Sequence, residues 1–87
     1  MKLDRFLENL DQAIEKAPTQ YRTGLKKFFA EVLTHAHNSK SQAKSQPTLN
    51  DFKRSFFRLI PLLRGRLHSL AIRAYLEALY SERTVKV

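Results

Sequence analysis

Residues 52–76 contain six cations, Lys53, Arg54, Arg58, Arg64, Arg66 and Arg73, and no acid. Five of the six are arginines. A guanidinium is planar and always charged, and its fork of donors grips a phosphate at two points or stacks on a flat base. Arg54 and Arg58 stand four residues apart. On a helix this sets like charges side by side, at a cost of about 0.2–0.5 kcal/mol unless an anion lies across them. Lys53 and Arg64 flank one border of the apolar stripe that runs through this stretch, and Arg66 and Arg73 flank the other. The spacing therefore predicts two cationic tracks. Lys26, Lys27, Lys40 and Lys44 add positive charge upstream. Cations repeated turn by turn suit phosphates repeated along a strand, and neutralising about six of them makes affinity fall steeply with salt. The alternative for the same residues is a solvated face whose arginine stems shield the core.

Other chemistry has little to stand on. His35 and His37 are two apart and diverge on a helix, His68 is isolated, and there is no cysteine, so no metal site is expected. Asp4, Glu8, Asp11 and Glu15 fall on one water-facing side, where carboxylates keep ordinary acidities. Two glycines, Gly24 and Gly65, cannot build a phosphate-binding loop. No catalytic residue and no cofactor is expected, and the chain reads as a non-enzyme. Base-specific readout is not expected either, because zinc-finger spacing is absent and the final segment is too long for a recognition helix. Phe57 and Tyr75 lie near the basic track. They could stack on bases as in single-strand binders, or Phe57 could fill a seam between helices.

Eighty-seven residues allow one domain, and a chain this size buries only about 60–65% of its unfolded surface. Hydrophobic residues at 43% and charged residues at 28% describe an ordinary globule rather than a disordered chain. The net charge of +8 favours polyanions as partners, with nucleic acid ahead of anionic membrane or an acidic protein. The charge is uneven. Residues 1–20 hold three cations against four acids, a net of −1, and the remainder holds thirteen against four, a net of +9. The N-terminus reads as helix rather than signal peptide, and the cytoplasm is the expected compartment.

The elements that must position these groups are all helical. Leu3, Phe6, Leu7, Leu10, Ala13, Ile14 and Ala17 make an apolar stripe that predicts a helix over 3–17, ended by Pro18. Tyr21, Leu25, Phe28, Phe29, Val32 and Ala36 predict a second over 20–37. Gly24 within it is either a blemish or a close helix crossing. The helix is expected to close at His37–Asn38 in the left-handed conformation that asparagine tolerates. Residues 38–48 lack large apolar side chains and predict a flexible loop, either a plain connector or a lysine strap for phosphates. Thr48 and Asp51 form a capping-box pattern that opens a helix over 49–59. Pro61 and Gly65 kink or break the segment before a last helix over 62–82. The expected architecture is an all-α, compact three- to four-helix bundle. Beyond Leu70 a second apolar side, Ile72, Leu76 and Tyr80, lies opposite the first stripe and suits a protein–protein contact.

A small, basic, helical protein with arginines ranked along 52–66 and a spare apolar side over 73–80 resembles the small subunits of CRISPR RNA-guided interference complexes. The likeness covers about half the chain and rests on pattern. It implies that Arg54, Arg58, Arg64, Arg66 and Arg73 face single-stranded or guide–target nucleic acid. It also implies that the Ile72, Leu76 and Tyr80 side meets a neighbouring subunit, another protein or a copy of this chain. The residues support two further readings. One is an interaction or inhibitor module whose basic face docks an acidic protein surface. The other is an amphipathic protein on anionic lipid, which the core's need for the apolar stripe argues against.

Overall fold

The first helix, α1 (Leu3–Glu15), turns Phe6, Leu10, Ala13 and Ile14 inward. In the computed structural model, which describes residues 2–38 and 46–85 with side chains as far as residue 81, three more helices complete the fold. They are α2 (Thr19–Asn38), α3 (Leu49–Leu59) and α4 (Gly65–Val85), and no strand occurs among the described residues. The chain is an all-α helical bundle.

α1 stops two residues short of the expected 17. A residue before proline avoids helical angles, so the chain closes early. The Lys16 and Ala17 N–H groups donate to the Ala13 and Ile14 carbonyls at 3.1 and 3.0 Å. The Pro18 carbonyl then accepts the Tyr21 N–H at 2.9 Å and opens α2. The two helices pack as an antiparallel hairpin across this short turn. Along α2, Leu25, Phe28, Phe29, Val32 and Ala36 are buried. Asn38 does not close α2 in the left-handed conformation, since no described residue other than glycine has a positive φ. Of the loop expected over 38–48, residues 39–45 lie outside the described residues, Asn38 belongs to α2, and Pro47 is buried ahead of α3.

α3 begins with the expected capping box. The Asp51 N–H donates to Thr48 Oγ1 at 3.2 Å, and the Thr48 N–H donates to Asp51 Oδ2 at 2.8 Å. Two donors that an isolated helix end would leave unpaired are thereby satisfied. α3 runs to Leu59, followed by one 3-10 turn, Ile60–Leu62, and an extended Leu63 at φ −82°, ψ 148°. The segment is broken rather than kinked. Pro61 has no N–H for the Phe57 carbonyl, and Gly65 supplies the φ of +60° at which α4 starts, three residues later than the periodicity predicts.

α1 packs mainly on α4, and α2 mainly on α3. Among the described residues no Cα of α3 comes within 8 Å of a Cα in α4. Aromatic rings bridge that gap. Phe56 of α3 stacks on Tyr75 of α4 with centroids 4.1 Å apart and planes 4° apart. Phe56 also stacks on Phe29 at 5.8 Å, and Phe6 of α1 meets Phe52 and Tyr75 edge to face at 5.4 and 5.6 Å. Gly24 lies under Leu67, but a methyl there would sit 3.4 Å from Leu67 Cδ1, an ordinary contact. The crossing does not require glycine.

Two substitutions follow with opposite signs. Thr48→Ala removes the cap and lowers unfolding free energy by about 1 kcal/mol. Gly24→Ala restricts the unfolded chain without a clash and raises it by about 0.5–1 kcal/mol. Urea denaturation followed by circular dichroism reads both, and a destabilised Gly24→Ala protein would mean that the α2–α4 crossing is tighter than described.

Candidate nucleic-acid interface

With Phe52, Ser55 and Phe56 turned into the core, the geometry of α3 sends Lys53, Arg54, Phe57 and Arg58 to the opposite side. All four are exposed. Arg64 follows in the extended link beyond the 3-10 turn and is exposed as well. Among the described residues none of Lys53, Arg54, Arg58, Arg64, Arg66 and Arg73 has a hydrogen-bond or ion-pair partner. Two carboxylates are engaged with other cations. Glu15 accepts Lys26 Nζ at 3.1 Å and lies 3.9 Å from Arg22 Nη1, and Glu77 pairs with Lys16 at 3.1 Å. The hydrogen bond from Lys26, then its charge and that of Arg22, hold the Glu15 carboxyl below the usual carboxylate range.

The two cationic tracks are on different sides of the molecule. Arg66 and Arg73 lie on the flank of α4 that faces α1. With Lys16 and Glu77 they rim a recess of about 270 Å³ floored by Ala13, Ala17, Leu70 and Ala74. Lys53, Arg54 and Arg58 belong to α3, beyond the aromatic bridge. One strand lying along α3 therefore meets three of the predicted cations rather than six. Lys26 is engaged with Glu15 and ties α2 to α1, so it does not extend either track. Lys27 is exposed and lines a shallow groove on α2 with Glu31, His35 and Leu59. Lys40 and Lys44 lie outside the described residues.

Phe57 does not fill a seam. Phe56 and Tyr75 fill it, and Phe57 stands at their edge, 5.4 and 5.8 Å away and turned by 73° and 71°, with 55% of its surface in water. Its place beside the cations was legible, since 53 and 54 precede it by one turn. How far it would stay exposed was not, because that depends on where α4 sits. Lys16 was missed altogether. It belongs to the acidic helix, and only the α1–α4 packing brings it to Arg66 and Arg73.

On α4, Leu76 and Tyr80 are 43% and 51% exposed, whereas Ile72 is partly covered and packs against the core. The predicted partner side is thus narrower than the sequence indicates. His35 Nδ1 lies 3.1 Å from the Oγ of buried Ser55, a polar pair that joins α2 to α3. Among the described residues no three His, Cys, Asp or Glu side chains converge as a metal site would require, and no helix is long and apolar enough to cross a membrane. Comparisons with protein-family models, curated proteins and solved structures give no match.

The Tyr75 hydroxyl is buried without a hydrogen-bond partner among the described residues. Burial pushes the phenol above its ordinary range, since the ionised form loses its water. The neutral form is the one the fold favours. Its contribution is complete below the ordinary tyrosine pKa and is lost as pH rises through the raised one. Tyr75→Phe keeps the ring stack and removes the orphaned hydroxyl, so it should raise stability by about 1 kcal/mol and weaken the alkaline loss. Denaturation at neutral and strongly alkaline pH tests this, and a less stable variant would mean that the hydroxyl has a partner.

Proposed function

We propose that this chain binds the sugar–phosphate backbone of nucleic acid, without catalysis and without base readout, as a helical subunit of a larger nucleoprotein assembly. The observation that carries this reading is the unpaired state of Lys53, Arg54 and Arg58 on one exposed side of α3. Two guanidinium groups one turn apart repel each other when no anion lies between them. The protein's acids do not relieve that repulsion, and a phosphate backbone would. The partly exposed Leu76 and Tyr80 support a protein neighbour within the assembly. The resemblance to small subunits of CRISPR interference complexes gives the proposal its most specific form. In that form the strand follows α3, and adjacent subunits meet along the Ile72, Leu76 and Tyr80 side.

A second reading, a module whose basic side docks an acidic protein surface, draws support from Leu62. This residue is 72% exposed in the 3-10 turn that follows α3, as apolar contacts at protein interfaces are. A salt titration with random-sequence DNA and RNA separates the two. Backbone binding through three or four phosphates predicts a log–log slope of about −3. Arg54→Glu with Arg58→Glu reverses the local charge and should weaken binding by roughly 30- to 1,000-fold at low salt, each lost phosphate contact plus the added repulsion contributing about 1–2 kcal/mol. Arg66→Glu with Arg73→Glu, on the other side of α4, should weaken it far less. Absence of binding to either polymer at low salt would leave the acidic-protein reading in its place.

A further inference from the structure

We infer that Phe57 is a stacking platform for an unpaired base, so that the strand held by α3 is single-stranded. The inference rests on the proposed backbone binding and specifies the form of nucleic acid. Three observations meet at this ring. Phe57 is 55% exposed, whereas the other five phenylalanines are buried in the core. It is held in place, since Phe56 and Tyr75 lie edge to face with it at 5.4 and 5.8 Å, and those two rings are themselves stacked at 4.1 Å. A base that stacks there meets a fixed surface rather than a side chain that must first be ordered, which lowers the entropy lost on binding.

The third observation is the surroundings. Lys53 and Arg54 stand one helical turn before Phe57, Arg58 follows it directly, and none has an intramolecular partner among the described residues. One turn is about 5.4 Å, so a flat apolar ring and three phosphate-seeking groups lie within the reach of a few nucleotides. That combination, cations for the backbone with an aromatic face for the bases, is what sequence-tolerant single-strand binding needs. Base pairs in a duplex are already stacked on each other and offer no free face to a ring on a convex helix. A duplex could use the cations but not Phe57.

Fluorescence anisotropy with three probes of equal phosphate number tests this: oligo(dT) or oligo(U), an abasic phosphodiester strand, and a duplex. Stacking of one base should make the thymidine or uridine strand bind roughly 5- to 100-fold more tightly than the abasic strand, and more tightly than the duplex at equal phosphate number. Phe57→Ala should bring the pyrimidine strand down to the abasic level and leave abasic binding unchanged. Phe57 is exposed, so the variant should fold, which its melting curve checks. Phe57→Trp should retain the preference. It also introduces the only tryptophan of the chain, whose emission should be quenched by the pyrimidine strand and not by the abasic one. Equal affinity for pyrimidine and abasic strands, or equal loss of both in Phe57→Ala, overturns the stacking role and leaves backbone binding standing. Binding of none of the three probes at low salt overturns the backbone reading and this inference with it.

Discussion

The stack of Phe56 on Tyr75 is what joins α3 to α4. Their backbones stay farther apart than close-packed helices do, and the 4.1 Å ring contact crosses the space between them. Aromatic pairs of this kind contribute about 0.5–1.5 kcal/mol beyond the area they bury. Phe56 also lies against Phe28, Phe29 and Phe57, so one ring connects α2, α3 and α4. An eleven-residue helix is marginal by itself, and α3 depends on this anchorage for its shape. The direction in which its outer side points is therefore a product of the aromatic core.

Charge is arranged around the same division. Glu15 and Glu77 take up Lys16, Arg22 and Lys26 at exposed positions, where ion pairs contribute little stability but fix which cations remain available. α3 is left with Asp51 alone, and its carboxylate serves the capping box. The helix thus keeps a concentration of positive charge that its own protein does not neutralise. The exposed acids of α1, Asp4, Glu8, Asp11 and Glu15, belong to a different helix.

Much of this was legible in the chain. The apolar stripes indicated three helical segments, the last of them kinked or divided near Pro61, because burial at three- and four-residue intervals has few other solutions in a sequence this short. Thr48 and Asp51 announced the start of α3. The end of that helix was less defined, since proline and glycine four residues apart are compatible with a kink or with a break, and the extended Leu63 and the positive φ of Gly65 separate them. Asn38 is the last residue of α2, close to the expected end, but without the left-handed geometry, because asparagine tolerates that region and does not demand it. The candidate site was readable along one helix and unreadable between helices. Lys53, Arg54, Phe57 and Arg58 share a side by periodicity alone. The pairing of Lys26 with Glu15 and the gathering of Lys16 with Arg66 and Arg73 arise from tertiary packing that no local spacing encodes.

Gly65 shows a constraint of an unusual sort. An added Cβ would meet nothing within 4 Å, so the site has room for any side chain. What it resists is chirality. An L-residue held at a φ of +60° carries a penalty of about 1–2 kcal/mol whatever its bulk, with asparagine and aspartate least affected. Tolerance at this elbow should be indifferent to volume, with alanine faring no better than leucine, although open space surrounds it.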